Sequence, residues 1–256
     1  MSDFDRNTVA RGSFGAGRAV AVDAGLRAHM IRVYNYMASA VALTGVVSWF
    51  CYQAAGGDAI RVVGNSITGV TPFGQTILGG FTPIILMLAT LGLVFFISFR
   101  INRLQYTTAL GLFMLYAALL GVALTSIFVV YTGTSITRVF FISAASFGAL
   151  SLYGYTTQRD LTAIGSFCMM GLFGIILASI VNMIWPSGML SFAISAIGVL
   201  VFAGLTAYDT QKVKEVYDVQ DDGTVAGRKA VMGALALYLD FINLFLFLLR
   251  FLGDRR

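Results

Sequence analysis

Seven long apolar runs separated by short polar breaks dominate the chain, at residues 33–53, 81–99, 107–130, 138–157, 161–184, 189–208 and 230–252. The first six contain no Asp, Glu or Lys, and their only Arg is Arg138, at a boundary. Each run matches the roughly 20 apolar residues that a helix needs to cross the hydrocarbon core of a bilayer. In lipid the backbone polar groups must be satisfied within the segment, which makes continuous runs helical. Barrel strands would alternate polar and apolar positions, and these runs do not. The pattern predicts an all-α membrane protein of about seven transmembrane helices, with a polar tail at 1–32, one membrane domain at 33–252 and a short C-terminal tail at 253–256. Two longer connections, 54–80 and 210–229, are more polar. Small residues within the runs, as in Gly171–Gly174 and Ser143–Gly148, are expected to let helices approach closely. No internal repeat suggests a duplicated transporter.

Composition supports the lipid setting. Of the 256 residues, 58% are hydrophobic and 11% are charged, against roughly 25% charged in soluble domains. The net charge of +5 comes from basic residues at the ends of apolar runs, where they face headgroups. No basic patch with interleaved aromatics points to nucleic acid. Cys51 and Cys168 fall inside apolar runs without a CxxC pairing and read as small fillers. Residues 1–32 lack the apolar stretch of a cleavable signal peptide. No Ser/His/Asp set, phosphate loop or dinucleotide fingerprint occurs, so neither an enzyme nor a resident cofactor is expected.

Lys and Arg counts set the orientation. With the N-terminus cytoplasmic and seven crossings, the inner side holds twelve: Arg6, Arg11, Arg18, Arg27, Arg32, Arg100, Arg103, Arg159, Lys212, Lys214, Arg228 and Lys229. The outer side keeps Arg61, Arg138, Arg250, Arg255 and Arg256. The last three oppose the rule and would favour a final segment that re-enters. Short loops make a bacterial plasma membrane the expected location. Trp49, Trp185, Tyr131 and Tyr217 read as interfacial anchors, and His29, the only histidine, as a solvated residue of the tail.

Asp240 stands apart. It lies ten residues into its apolar run, about 15 Å along a helix and so near mid-membrane. An acid there costs at least about 2.5 kcal/mol to insert, which makes it a functional candidate. A hydrogen bond to Asn243, one turn on, is the structural alternative. Its best partner is Asp209, which reaches the same depth if its helix continues to about Tyr217, with Lys212 and Lys214 snorkelling toward headgroups. Two carboxylates close together in a low-dielectric site cannot both ionise cheaply. Protonated, the pair ties two helices together; deprotonated, it repels itself and attracts a cation, and Ca²⁺ favours carboxylate oxygen. The acids Asp218, Asp221 and Asp222 read as a solvated run.

Two strings carry a family likeness: Ala207-Tyr208-Asp209-Thr210-Gln211-Lys212-Val213-Lys214, and Ala236-Leu237-Tyr238-Leu239-Asp240-Phe241-Ile242-Asn243-Leu244-Phe245. They resemble the signatures of the Bax inhibitor-1 (TMBIM) family over residues 185–252. The resemblance implies seven helices with the last one central to two three-helix layers. It also implies a pH-sensitive calcium leak whose sensor pair corresponds to Asp209 and Asp240, with Tyr208, Tyr238 and Asn243 in support and Ca²⁺ as the permeant ion, bound transiently by the two acids. Arg100 is the nearest match to a basic latch found in some members. The acid that some members carry in the second helix is missing between Phe81 and Phe99. Eukaryotic relatives restrain cell death, and some bacterial relatives associate with a membrane protease.

Three functions follow for testing. One is the proton-gated cation leak. Another is a non-transporting regulator that binds a membrane protease or another membrane protein. The third is an intramembrane aspartyl protease, which two acids on adjacent helices would permit, although Asp240 lacks the Gly-x-Gly that precedes the second aspartate of presenilin-like enzymes.

Overall fold

The computed structural model describes the backbone of residues 3–63 and 66–256, and the side chains of 24–61 and 68–256. The chain runs α1 (Asp3–Ala55), a two-stranded antiparallel ribbon of β1 (Arg61–Val63) and β2 (Ser66–Thr68), α2 (Pro72–Leu78), α3 (Thr82–Arg100), α4 (Tyr106–Ala123), α5 (Thr125–Val130), α6 (Gly133–Thr156), α7 (Thr162–Ile184), α8 (Gly188–Glu215) and α9 (Gly223–Leu252). Among the described residues, seven helical stretches are long and apolar enough to cross a membrane: Ala24–Ala55, Thr82–Arg103, Tyr106–Val130, Gly133–Thr156, Thr162–Ile184, Gly188–Glu215 and Gly223–Leu252. The protein is an all-α membrane protein.

Side-chain caps start several of these helices. The Thr132 hydroxyl accepts the Ser135 N–H at 3.3 Å, and the Asp222 carboxylate accepts the N–H groups of Thr224 and Val225 at 2.8 and 2.7 Å. Each cap satisfies amides that have no partner within the helix. Lys212 and Lys214 in the last turn of α8 lie where the helix dipole favours cations.

The helices sort into two groups of three around the last one. α1, α3 and α4 pack together on one side and α6, α7 and α8 on the other, while α9 touches α1, α4, α6 and α8. α9 is therefore the centre of the bundle. Fully buried Leu237 and Tyr238 belong to it, whereas α3 and α7 turn Phe, Ile, Leu and Met side chains outward. Outward apolar faces of this kind suit contact with lipid tails.

The helix boundaries refine the sequence reading. The first helix already packs against the core before residue 33, because Leu26 and Met30 continue the helical spacing of Val33, Met37 and Ala40. His29 is consequently buried, 6% exposed, with its ring 5.6 Å from that of Tyr217. α8 continues to Glu215 and α9 begins at Gly223, so both carry a polar extension beyond their apolar runs. The final segment is one continuous helix, Gly223–Leu252, without the break of a re-entrant segment. Its C-terminal arginines are held at the far end, where the Arg256 N–H donates to the Val130 carbonyl at 2.9 Å and the guanidinium reaches the Tyr52 hydroxyl at 3.0 Å and Asp58 at 3.5 Å.

The glycines also divide. A Cβ added at Gly154 would meet the Ala207 carbonyl oxygen at 2.2 Å, so this glycine seats α6 against α8. Gly148 and Gly174 would meet nothing within 4 Å, and the close approach expected of them is absent.

Candidate functional site

α8 and α9 run side by side, and their contact brings Asp209 and Asp240 together. The two carboxyl groups lie within hydrogen-bonding reach of each other. Asp240 is 4% exposed and its Oδ2 has no hydrogen-bond partner among the described residues. Asp209 is half-buried and lines a cavity of about 410 Å³. The depth problem posed by an acid at the end of an apolar run is resolved by the extension of α8. Asp209 lies six residues before Glu215, about 9 Å below the helix end.

This cavity belongs to the end of the bundle where α3 finishes and α9 starts. Ile101 and Asn102, Asp209, Lys212 and Val213, and Val225, Arg228, Lys229 and Met232 line it. A second cavity of about 440 Å³ lies toward the other end, walled by Thr44 and Ser48 of α1, Thr137 and Phe140 of α6, and Phe241 and Ile242 of α9. The two stop short of each other on either side of the α9 turn that carries Leu237, Tyr238 and Asp240. Tyr238 is fully buried there, edge-on to Phe113 and Tyr116 of α4, and its hydroxyl lies 2.6 Å from that of Thr44.

The other residues singled out from sequence fall in different places. Tyr208 packs its ring against Gly165 of α7 and lies beneath the Lys212 ammonium, 5.7 Å from the ring centroid. Asn243 donates to the Leu239 carbonyl at 2.8 Å and faces a groove with Phe202 and Phe247, so it does not bond Asp240. Arg100 ends α3 exposed, and among the described residues it forms no ion pair with either aspartate. The cation beside Asp209 is Lys212, one turn on and lining the same cavity.

The acids of the 210–229 connection have structural partners. Asp222 caps α9, and Asp221 pairs with Lys229 at 2.5 Å. Among the described residues no three His, Cys, Asp or Glu side chains converge as a metal-binding group. The donor set at the centre is thus two carboxyl groups.

Several residues near the pair escaped the sequence reading. The Ser151 hydroxyl of α6 bonds that of Thr210 at 2.9 Å and also that of Tyr34, and Thr210 donates to the Thr206 carbonyl at 2.8 Å. This chain of hydroxyls ties α1, α6 and α8 together beside Asp209. Gln211 clamps the loop between α6 and α7, accepting the Leu161 N–H and donating to the Arg159 carbonyl, both at 2.9 Å. In that loop the Thr162 hydroxyl and amide hold the exposed Asp160 carboxyl below its ordinary range. On α1, the Ser48 hydroxyl is buried with no partner among the described residues. A visible signal did exist for some of these. Thr44 and Ser48, and Thr206 and Thr210, are hydroxyl pairs four residues apart in otherwise apolar helices, on one face each.

Comparison with known proteins adds a family. The family described as inhibitor of apoptosis-promoting Bax1 matches residues 26–256. RP147 of Rickettsia prowazekii is 47% identical over 234 residues, covering 91% of this chain and 92% of its own. The inner membrane protein YbhL of Escherichia coli K12 is 44% identical over 236 residues, covering 91% and 94%. A protein of Caulobacter vibrioides is 42% identical over 263 residues and covers both chains in full.

Proposed function

Because this chain belongs to the Bax inhibitor-1 family, we propose that it is a cation leak, chiefly for Ca²⁺, gated by protonation of the Asp209–Asp240 pair. In this reading it lies in a bacterial plasma membrane with its N-terminus in the cytoplasm, as the inner-membrane relative and the distribution of Lys and Arg suggest. The single observation that carries the proposal is the meeting of two carboxyl groups between α8 and α9, that of Asp240 almost without access to water.

Like charges held this close in a poor dielectric are costly, so one proton shared between them is the low-energy arrangement. With that proton in place, one carboxyl donates to the other, and α8 stays against α9. The α9 turn bearing Tyr238 then separates the two cavities. Loss of the proton leaves two anions in contact. Their repulsion loosens the α8–α9 seam, and their oxygens offer hard ligands to a divalent cation arriving from either cavity. Flux therefore rises as pH rises. Lys212 limits the repulsion on the Asp209 side and sets how readily the seam opens.

The test is calcium entry into proteoliposomes loaded with an indicator dye. Wild-type entry is expected to increase with pH, while Asp240→Asn, which keeps a hydrogen-bonding group but carries no charge, gives entry that no longer depends on pH. A pH profile for Asp240→Asn identical to that of the wild type removes the pair from gating.

A further inference from the structure

The cavity beside Asp209 has walls and a rim of different character. Ile101, Val225 and Met232 make its sides apolar, while Lys212, Arg228 and Lys229 place three cations along it. Lys229 is neutralised by Asp221 at 2.5 Å. Arg228 spends one guanidinium nitrogen on the Asn102 carbonyl at 2.5 Å, an uncharged partner, so its charge is not balanced there. Lys212 is exposed, its ammonium lies over the Tyr208 ring, and it forms no ion pair among the described residues. Asp209, the one acid in the lining, stands one turn deeper than Lys212 and faces Asp240. The rim thus keeps two cations without an ion-pair partner among the described residues above an apolar hollow, at the end of the bundle where α8 finishes.

We propose that this cavity holds an anionic phospholipid, with the headgroup phosphate between Lys212 and Arg228 and the upper part of an acyl chain against Ile101, Val225 and Met232. Charge complementarity selects the occupant. Basic hollows between transmembrane helices at headgroup level suit anionic lipids, and each Lys or Arg near the surface adds measurable attraction. A zwitterionic lipid would bring its own cation to the same rim and gain less. A free phosphate would meet the two cations but leave the apolar hollow unfilled. Binding requires no ion flux, so it is measured independently of gating, although Lys212 serves in both.

The test uses the full chain purified in detergent and titrated with dioleoylphosphatidylglycerol or dioleoylphosphatidylcholine, with retained lipid counted by native mass spectrometry. The glycerol lipid is expected to bind preferentially. Lys212→Gln and Arg228→Gln each weaken it by roughly fivefold, the effect of removing one cation. Arg100→Gln with Arg103→Gln, which removes two cations of the same end that do not line the cavity, leaves binding unchanged. Arg228→Gln also breaks the bond to Asn102 and can loosen the fold. Exposed Lys212→Gln does not, and it carries the test alone if needed. Equal retention of the two lipids, or equal loss in the Arg100/Arg103 variant and in Lys212→Gln, overturns the site. So does inorganic phosphate that displaces the lipid at the lipid's own concentration.

Discussion

α7 and α9 are both long apolar helices, yet they occupy opposite environments. In the most apolar stretch of α7, 17% of the residues are buried; in that of α9, 67% are. Phe167, Phe173 and Met183 of α7 are largely exposed, which in a bilayer means covered by lipid tails. α9 is enclosed by four other helices and carries Asp240, the one acid in its apolar run. The difference teaches that apolarity places a helix in a membrane but does not say whether it faces lipid or protein. The ionisable residue says that, because hydrocarbon cannot solvate it and neighbouring helices can.

The comparison can be broken by truncating one large side chain on each helix. Tyr238→Ala removes a fully buried ring and its hydroxyl contact with Thr44, and is expected to cost about 3–5 kcal/mol of stability. Phe173→Ala on α7, 64% exposed, is expected to change stability by less than about 0.5 kcal/mol. Unfolding in mixed micelles of rising denaturing-detergent content measures both. Similar losses would mean that α9 is not the core.

Glycines sharpen the same contrast. Gly154→Ala pushes a methyl group into the Ala207 backbone and is expected to cost about 1–3 kcal/mol by parting α6 from α8. Gly174→Ala, on the open side of α7, is expected to be neutral or to stabilise by about 0.5–1 kcal/mol through helix propensity. The same detergent titration orders the two. A modest effect is expected beyond the end of α9, where Arg256→Ala breaks a pair with the exposed Asp58 and a bond to the Tyr52 hydroxyl and costs about 0–1 kcal/mol.

How far the sequence could be read follows the same physics. Hydrocarbon admits only apolar, internally bonded segments, so the number of spans and the helical class are written in the apolar runs. The approach of Asp209 to Asp240 was legible because an acid inside an apolar run needs a polar partner from a neighbouring helix. The extension of α8 to Glu215 was needed to set their depth, and the Lys212 and Lys214 stems made it readable. The early start of α1 was not readable: Arg27, His29 and Arg32 interrupt a stretch whose Leu26, Met30 and Val33 still face the core. The Asn243 bond to Leu239 was equally hidden, since spacing on one helix gives two acceptors and only packing chooses. Arg100 looked near the pair in sequence, but it ends α3 exposed and, among the described residues, pairs with neither aspartate.

Infrared difference spectroscopy of the reconstituted protein tests the shared proton most directly. At neutral pH the account predicts a carboxylic-acid C=O band equivalent to one proton per chain. That band disappears from Asp240→Asn, whereas in Asp209→Asn the buried Asp240 keeps the proton alone and the band shifts in frequency. Absence of the band in the wild type, or its survival unchanged in Asp240→Asn, would contradict the account.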